Sequence, residues 1–409
     1  MGVLNVIGLG YIGLPTALMF AAHGVKVVGS DMNCKLIDTL NSGDLTFEEA
    51  GLKEIFKDAM NNGIRFSEKY ETTNRYLITV PTPYMKESKK IDASYVVAAV
   101  KQVMEVCDSG SIIVIESTIS PGTIDRFIRP IIKEKGFVIG QDIHLVHAPE
   151  RIIPGNMINE LKKNSRTIGA DSEVVGNEVK KWYEAFCDGD IVVTDIKTAE
   201  MSKVVENTFR DINIAFANEL AKICHKEGMD VHELIRIANK HPRVNILQPG
   251  PGVGGHCISV DPWFLVGDYP DIVNIIKSAR EVNDGAPYYV FERIKEIMSE
   301  NNIEDYSQVG LYGMTYKENV DDMRESPTLQ LLTILNDNNV QNLKVYDPMI
   351  KEKKIENQCM NLDEFLSGIK LIVVLVGHNE IRENQSLLES KIVYDTRNII
   401  EKGTKIYKI

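Results

Sequence analysis

The sequence predicts an α/β protein with two parallel-sheet domains, joined by a long central helix and a helical middle segment. Short β-branched runs alternate with longer helix-like segments near both ends of the chain, which is typical of parallel sheets with crossover helices. Between these parts, residues 198–238 have helical periodicity with few breakers other than Gly228. Residues 272–298 also follow a helical pattern.

The predicted strands divide the chain into three regions. Those of the first region are residues 3–7, 25–29, 76–80, 111–115 and 144–147. Those of the last region are residues 308–312, 343–346, 370–376 and 391–394. We therefore expect a first α/β domain over residues 1–196, a helical domain over 197–298 and a second, smaller α/β domain over 299–409.

Composition excludes several classes of protein. The 409 residues carry a formal charge of -12, which argues against a nucleic-acid surface because phosphate backbones are bound by clustered Lys and Arg. No apolar run approaches the roughly 20 residues that cross a bilayer, so we expect no membrane span and a cytoplasmic protein. The six cysteines are widely spaced, without a metal-ligand pattern. We predict neither a disulfide framework nor a metal.

A glycine-rich turn follows the first predicted strand, where residues 5–15 read NVIGLGYIGLP. Gly8 permits a tight turn, Gly10 lets backbone N–H groups approach a pyrophosphate, and Gly13 lets the helix pack closely on the strand. Asp31, 18 residues past Gly13, ends the next strand-like run and would accept hydrogen bonds from ribose hydroxyls. This pattern predicts a Rossmann-like domain that binds NAD in preference to NADP.

Two later loops also follow strand-like runs. They contain Thr82 with Pro83, and Thr118. Because cofactors of open parallel sheets lie at the carboxyl ends of strands, these loops are candidate walls of the nicotinamide pocket. Taken alone, each has the composition of an ordinary turn.

Residues 250–262 read GPGVGGHCISVDP and contain the candidate nucleophile, Cys257. Glycine and proline deny this stretch regular structure, so its cysteine is expected to be accessible. For the other five cysteines we expect buried, unreactive thiols. An aldehyde loses a second hydride only after a nucleophile has added to its carbonyl, and a thiolate can do so through a thiohemiacetal and a thioester. His256 beside Cys257 could suggest metal ligation, which we rank well below this role.

The predicted central helix presents Lys203, Asn207 and Arg210 at positions i, i+4 and i+7, hence on one face. A buried face of this composition would require an anionic or hydroxyl-rich partner. The ordinary alternative is a solvated helix face.

With these motifs in place, the chain resembles the UDP-glucose/GDP-mannose dehydrogenase family over nearly its whole length. The resemblance extends to VPTP at residues 80–83, EST at 116–118, APER at 148–151, YK at 316–317 and DDMRESP at 321–327. Within the family, residues 209–219 and 241–250 resemble the branch that acts on UDP-N-acetyl-D-mannosamine. That branch produces the uronate by a four-electron oxidation. UDP-N-acetylglucosamine 6-dehydrogenase remains the close alternative, and a two-electron hydroxyacid-type dehydrogenase or a non-catalytic NAD sensor the remote ones.

The resemblance also implies roles for individual residues. The implied catalytic residues are Cys257 as nucleophile, Lys203, Asn207 and Asp261 at the oxyanion and hydrolytic water, and Glu150 and Thr118 in proton transfer. The implied NAD contacts are Gly8, Gly10, Tyr11, Ile12, Gly13, Asp31, Thr82, Pro83, Thr118 and Arg324. The implied UDP-sugar contacts are Arg151, Ile152, Lys203, Asn207, Arg210, His241, Arg243, Gly254 and Lys317.

The same resemblance implies a homodimer or a higher homo-oligomer. In the family, the segment that corresponds to His241 and Arg243 completes a neighbouring subunit's site. Whether Arg243 acts within its own chain or on a neighbour stays open.

Overall fold

Buried apolar strands form two separate sheets, one in each half of the chain. The computed structural model describes residues 2–409 and divides into two compact units between Glu206 and Asn207. The fold class is confirmed: each unit holds an α/β sheet, and a long helix occupies the middle of the chain. Within residues 2–409, no helix has both the length and the hydropathy required to cross a bilayer.

The first sheet has eight strands in the order β3-β2-β1-β4-β5-β6-β7-β8. Their bounds are β1 Leu4–Ile7, β2 Val27–Ser30, β3 Arg65–Ser67, β4 Arg75–Ile78, β5 Ser111–Ile115, β6 Ile143–His147, β7 Arg166–Ala170 and β8 Ile191–Thr194. Neighbouring strands are parallel except β6 and β7, which are antiparallel. Strands β1, β2 and β5 are buried throughout, as expected for a sheet with helices on both faces.

Seven α-helices belong wholly to the part of the first unit that the structure describes. They are α1 Gly13–Ala22, α2 Cys34–Asn41, α3 Leu52–Asn61, α4 Ser94–Val106, α5 Arg129–Glu134, α6 Met157–Lys163 and α7 Glu173–Tyr183. A π-helical turn, Ile124–Ile128, leads into α5. Helix α1 is buried along almost its entire length, which fits its apolar sequence GLPTALMFAA.

The predicted central helix is α8, Ile196–Glu227, with 32 residues. It ends at Gly228, whose φ of 68° belongs to the left-handed region that glycine adopts without strain. Helical structure extends to residue 238, as predicted, but in a separate helix, α9 Val231–Ala238, that follows a break after α8. Asp230 begins α9, because its side chain accepts hydrogen bonds from the N–H groups of His232 and Glu233.

The second sheet is parallel throughout and has the order β10-β9-β11-β12-β13. Its strands are β9 Val309–Tyr312, β10 Lys344–Tyr346, β11 Leu371–Val374, β12 Ile392–Asp395 and β13 Lys405–Lys408. The remaining helices are α10 Asp261–Asp268, α11 Asn274–Asp284, α12 Ala286–Glu300, α13 Pro327–Asp337, α14 Leu362–Leu366 and α15 Asn379–Glu383. Short 3₁₀ turns lie at Tyr306–Gln308 and Gln385–Leu388.

Candidate active-site residues

The glycine turn after β1 has the close packing that its sequence predicts. Gly8 has a φ of 92°. A Cβ atom on Gly13 would lie 1.8 Å from the carbonyl oxygen of Gly8 and 2.2 Å from Oγ1 of Thr79, so only glycine fits there. Gly10 is exposed, and a Cβ atom on it would meet nothing within 4 Å. The first and third glycines therefore serve the fold, while the second leaves open space at the turn.

This turn fits a dinucleotide. Helix α1 has no acidic residue in its first turn and no side-chain cap at Ile12, so the positive end of the helix is available to a phosphate. Asp31 directly follows β2, and its carboxylate accepts hydrogen bonds from the N–H groups of Leu9 (2.8 Å) and Asn33 (2.9 Å). Asp31 thus joins the glycine turn to the end of β2. When bound, NAD would meet these residues.

The other predicted cofactor contacts of the first unit differ in exposure. The ring of Tyr11 stacks on Phe47 at a centroid distance of 4.4 Å. Thr82 is buried, whereas Pro83 and Thr118 are half-buried after β4 and β5 respectively. All three follow carboxyl ends of strands, as the sequence predicts.

Glu150 follows β6 and is buried. Its Oε1 accepts hydrogen bonds from the N–H groups of Arg151 (2.6 Å) and Ile152 (3.2 Å). The guanidinium of Arg151 donates to both carboxylate oxygens of Glu206 and to Oγ1 of Thr167 at 2.9 Å. This predicted substrate-binding arginine is already held by groups of the first unit.

Carboxylates also hold the next part of this irregular loop. Oε2 of Glu160 accepts the N–H of Ile153 at 2.7 Å. Glu49 accepts the N–H groups of Gly155 (2.7 Å) and Met157 (3.0 Å). We call the three glutamates that bind this backbone the carboxylate clamp: Glu49, Glu150 and Glu160. Sequence reasoning missed Glu49 and Glu160, since nothing in their spacing connects residue 49 with residue 155.

The predicted polar face of α8 is only partly buried. Lys203 and Asn207 are buried, but Arg210 is exposed. Of the two alternatives for this face, burial applies to Lys203 and Asn207, and the solvated face applies to Arg210.

Three predicted residues meet in the second unit. Cys257 is exposed, and its carbonyl oxygen accepts the N–H of Asp261 at 2.8 Å. The buried carboxylate of Asp261 in turn accepts a 2.6 Å hydrogen bond from Nδ2 of Asn207. Asp261 begins α10, so the cysteine turn is fixed to one helix by its backbone and to α8 by a side chain. The turn that carries the accessible Cys257 thiol is thus linked through its backbone to the residue that forms this buried amide–carboxylate pair.

The glycines of the cysteine loop allow close packing on the segment after β9. A Cβ atom on Gly254 would lie 2.7 Å from the carbonyl oxygen of Glu325 and 2.8 Å from Cβ of Tyr316. One on Gly255 would lie 2.8 Å from the Tyr316 ring. The N–H of Gly255 donates to the carbonyl oxygen of Arg324 at 3.0 Å. The position of Cys257 therefore depends on contacts with residues 316–327.

His256 precedes the nucleophile in the same loop. Burial and the nearby Arg324 cation lower the pKa of His256, so the ring is neutral at pH 7. Within residues 2–409, no group of three or more His, Cys, Asp or Glu side chains is placed to hold a metal ion.

A buried His–Asp pair shapes the loop that carries Lys317, a predicted UDP-sugar contact that is half-buried. Nδ1 of His378 accepts the N–H of Asn319 at 2.9 Å, so Nε2 carries the proton and faces the Asp347 carboxylate at 3.1 Å. Asp347 also accepts the N–H of Thr315 at 2.9 Å. The loop that holds Lys317 is thus fixed at both ends.

The remaining predicted contacts are exposed. The Arg324 guanidinium pairs with Asp322 at 2.6 Å. His241 and Arg243 lie on the surface between α9 and α10. Arg397, which the sequence reasoning missed, places a guanidinium nitrogen 3.0 Å from where a Cβ atom on Gly250 would lie. Its signal was an arginine three residues after the end of the predicted strand 391–394.

The six cysteines are free thiols, and Cys257 is exposed as predicted. The expectation that the other five are buried is correct for three of them: Cys187, Cys224 and Cys359. It is wrong for Cys34, which is exposed, and for Cys107, which is half-buried. Both lie at helix ends, where a side chain need not face the core.

The chain is similar to known proteins over nearly its whole length. A UDP-N-acetyl-D-mannosamine dehydrogenase of Methanococcus vannielii is 44% identical over 407 residues, covering 97% of this chain and 92% of the relative. An NDP-N-acetyl-D-galactosaminuronic acid dehydrogenase of Ralstonia nicotianae is 39% identical over 408 residues, covering 97% and 96% of the two chains. The solved structure of a UDP-D-ManNAc dehydrogenase from Pyrococcus horikoshii superposes with a TM-score of 0.92 at 37% identity, covering 100% and 99% of the two chains.

Three family models match the chain in order. Residues 3–187 match the NAD binding domain of the UDP-glucose/GDP-mannose dehydrogenase family, residues 197–285 its central domain and residues 310–402 its UDP binding domain. The first match confirms the predicted cofactor, NAD. The chain therefore belongs to the UDP-glucose/GDP-mannose dehydrogenase family.

Proposed function

We propose that the chain oxidises the C6 alcohol of UDP-N-acetyl-D-mannosamine to the carboxylate, through a thioester on Cys257. The observation that carries the proposal is the exposed Cys257 thiol in a glycine loop, backed by the Asp261–Asn207 pair. The substrate follows from the relatives that bear this name, 44% identical in Methanococcus vannielii.

The chemistry proceeds in two oxidations. The glycine turn and Asp31 would hold NAD, which would supply a hydride acceptor for each oxidation. Between them, the Cys257 thiolate adds to the aldehyde carbon to give a thiohemiacetal. After the second oxidation, a water molecule attacks the thioester carbon, the carbon–sulfur bond breaks and the thiolate is restored. Glu150, with Thr118, takes up protons.

Charge stabilisation falls to the residues of α8 and α10. Lys203 is buried, and an ammonium at a developing oxyanion in a dry site is worth a few kcal/mol, or roughly a 100-fold rate effect. Asn207 and Asp261 hold each other through their 2.6 Å hydrogen bond and are proposed to orient the hydrolytic water. Lys317 and the backbone at Gly254 are proposed to bind the UDP-sugar.

The test uses the purified chain with separate nucleotide sugars. UDP-N-acetylmannosamine should yield two NADH per sugar, with UDP-N-acetylglucosamine, UDP-N-acetylgalactosamine and UDP-glucose turned over slowly. The galactosamine compound is included because of the 39% identical galactosaminuronic acid dehydrogenase. One NADH per substrate would instead favour a two-electron dehydrogenase.

Replacement of the thiol tests the thioester directly. Cys257→Ser should abolish release of the uronate and leave the dissociation constant of NAD unchanged. Cys107→Ser, at a half-buried thiol that ends α4, is the matched control and should behave like the wild type. Wild-type uronate release from Cys257→Ser would exclude the thioester route.

We also propose that the enzyme is a homo-oligomer in the cytoplasm. Helix α8 exposes apolar side chains at regular spacing along the helix: Val205, Phe209, Phe216 and Ile223. Such a stripe is what a second copy of the chain would cover. Six free thiols fit a reducing compartment. Light scattering of the wild type and of Phe209→Glu should show a smaller particle for the variant.

A further inference from the structure

Three charged side chains of the first unit form a buried cluster that the proposed reaction does not use as a whole. Glu116, Glu150 and Arg166 are only 1%, 7% and 4% exposed. One guanidinium nitrogen of Arg166 lies 2.6 Å from Oε2 of Glu150, and another lies 3.6 Å from Oε1 of Glu116. A single buried cation is therefore shared, unequally, by two carboxylates.

The position of Arg166 follows from the topology of the first sheet. Strand β7 is antiparallel to β6, with Val146 opposite Ala170 and His147 opposite Gly169. Continued past the paired residues, this register places Glu150 opposite Arg166, the first residue of β7. The one antiparallel step in the first sheet thus brings an arginine to the carboxyl end of β6.

Aromatic rings keep the arginine in place. Its guanidinium lies over the ring of Tyr183, 4.5 Å from the centroid, and near the ring of Phe186 at 5.5 Å. The hydroxyl of Tyr183 donates a 2.9 Å hydrogen bond to Oε1 of Glu116. Tyr183 therefore contacts two members of the cluster: its ring packs on the Arg166 guanidinium, and its hydroxyl binds Glu116.

The charges within the cluster are not equivalent. Burial and the neighbouring Glu150 raise the pKa of Glu116 to about 8, against the opposing effects of Arg166 and Tyr183. The pKa of Tyr183 is raised well above its ordinary value by burial, so the phenol stays neutral. The raised pKa lets Glu116 keep its proton at pH 7, and the short contact of the Arg166 guanidinium, 2.6 Å, is the one with Glu150.

We propose that Arg166 and Glu116 are positioning residues that hold Glu150 as the proton acceptor for hydrolysis of the Cys257 thioester. This inference rests on the proposed function. In the step concerned, the water oxygen bonds to the thioester carbon, the carbon–sulfur bond breaks with its electron pair on sulfur, and the water proton passes to Glu150. Arg166 supplies the counter-charge and fixes the carboxylate. Glu116 takes no part of that counter-charge while it is protonated.

The first experiment measures the covalent intermediate. Arg166→Gln should slow thioester hydrolysis about 100-fold, the cost of roughly 1 Å of misplacement, so intact-protein mass spectrometry should detect the sugar adduct on Cys257. Arg166→Lys keeps the positive charge and should recover part of the rate. The matched control is Arg75→Gln, which removes an arginine that is stacked on Trp182 at 5.1 Å and paired with Glu178 at 3.6 Å. It should show no adduct.

The second experiment is a pH profile of kcat for the wild type and Glu116→Gln. Ionisation of Glu116 near pH 8 adds a second carboxylate that competes with Glu150 for Arg166, so wild-type kcat should fall through a one-proton step there. Glutamine keeps the neutral amide at every pH, so Glu116→Gln should lack this step.

The outcomes separate this inference from the proposed function. If the wild type makes no uronate, the proposed function fails. If the wild type is active but Arg166→Gln is equally fast and free of adduct, the inference alone is wrong. Loss of NAD binding and of thermal stability by Arg166→Gln, without adduct and without recovery by lysine, would show a purely structural arginine and also overturn it. An alkaline step that persists in Glu116→Gln would remove Glu116 from the mechanism.

Discussion

The two glycines at the start of α1 should respond in opposite ways to a single added methyl group. In Gly13→Ala the new Cβ would lie 1.8 Å from the Gly8 carbonyl oxygen, whereas real Cβ atoms do not approach closer than 3.0 Å. The helix must therefore move by roughly 1.2 Å. The Gly8 carbonyl oxygen is held in place, since it accepts a 2.6 Å hydrogen bond from Oγ1 of Thr79. Overpacking of this kind costs about 1–3 kcal/mol.

In Gly10→Ala the methyl group meets nothing within 4 Å, so the fold should be unaffected. The cofactor, however, would be kept away from the turn. Loss of one hydrogen bond to a charged phosphate costs about 1.5–3 kcal/mol, which raises the dissociation constant of NAD about 10- to 100-fold.

The assay pairs thermal unfolding with NAD titration by calorimetry. Gly13→Ala should lower the melting temperature by about 2–4 °C for each kcal/mol lost, and should weaken NAD binding as well. Gly10→Ala should keep the wild-type melting temperature and weaken NAD binding alone. Wild-type NAD affinity in Gly10→Ala would refute the assignment of that open space to the cofactor.

Two further outcomes are expected. In Gly254→Ala the new Cβ atom would lie 2.7 Å from the Glu325 carbonyl oxygen and should displace the cysteine loop. We expect kcat to fall about 100-fold while the affinity for NAD stays unchanged. Retention of half the activity in a steady-state assay would contradict this. Burial lowers the pKa of His147 from 6.5 to about 4, so below pH 6.5 the unfolded chain binds a proton that the folded chain refuses. The free energy of unfolding should therefore fall by about 3 kcal/mol as the pH drops from 6.5 to 4. In urea titrations, His147→Gln should show a smaller fall over the same pH range. A fall as large as that of the wild type would contradict the role of His147.

Most buried strands with β-branched residues were predictable from the sequence, and so was the edge strand β10, but three other edge strands were not. Strand β5 lies where its residues 111–115 predict it. Strands β3, β8 and β13 were missed because a strand at the edge of a sheet has one neighbour and keeps charged or exposed side chains. Strand β7, which lies inside the first sheet, was missed as well. Strand β7 begins with a buried arginine, and its antiparallel direction follows from tertiary packing.

The candidate site shows the same limit. Local sequence reasoning recognised the glycine turn and the accessible Cys257, because glycine has a direct backbone meaning. It could not predict the hydrogen bond between Asp261 and Asn207, which are 54 residues apart. Nor could it identify Arg166 as the partner of Glu150. Such contacts depend on strand direction and helix placement, which no local pattern encodes.

The carboxylate clamp fixes a loop by hydrogen bonds to its backbone N–H groups rather than to its side chains. Glu49 and Glu160 bind only backbone N–H groups of residues 153–157, which every residue except proline provides. The half-buried side chain of Ile153 can therefore be exchanged while the backbone keeps its path, whereas Ile152, which is 5% exposed, packs in the core of the first unit. An attempt to change the proposed sugar preference could therefore vary position 153 while the backbone of residues 153–157 stays fixed.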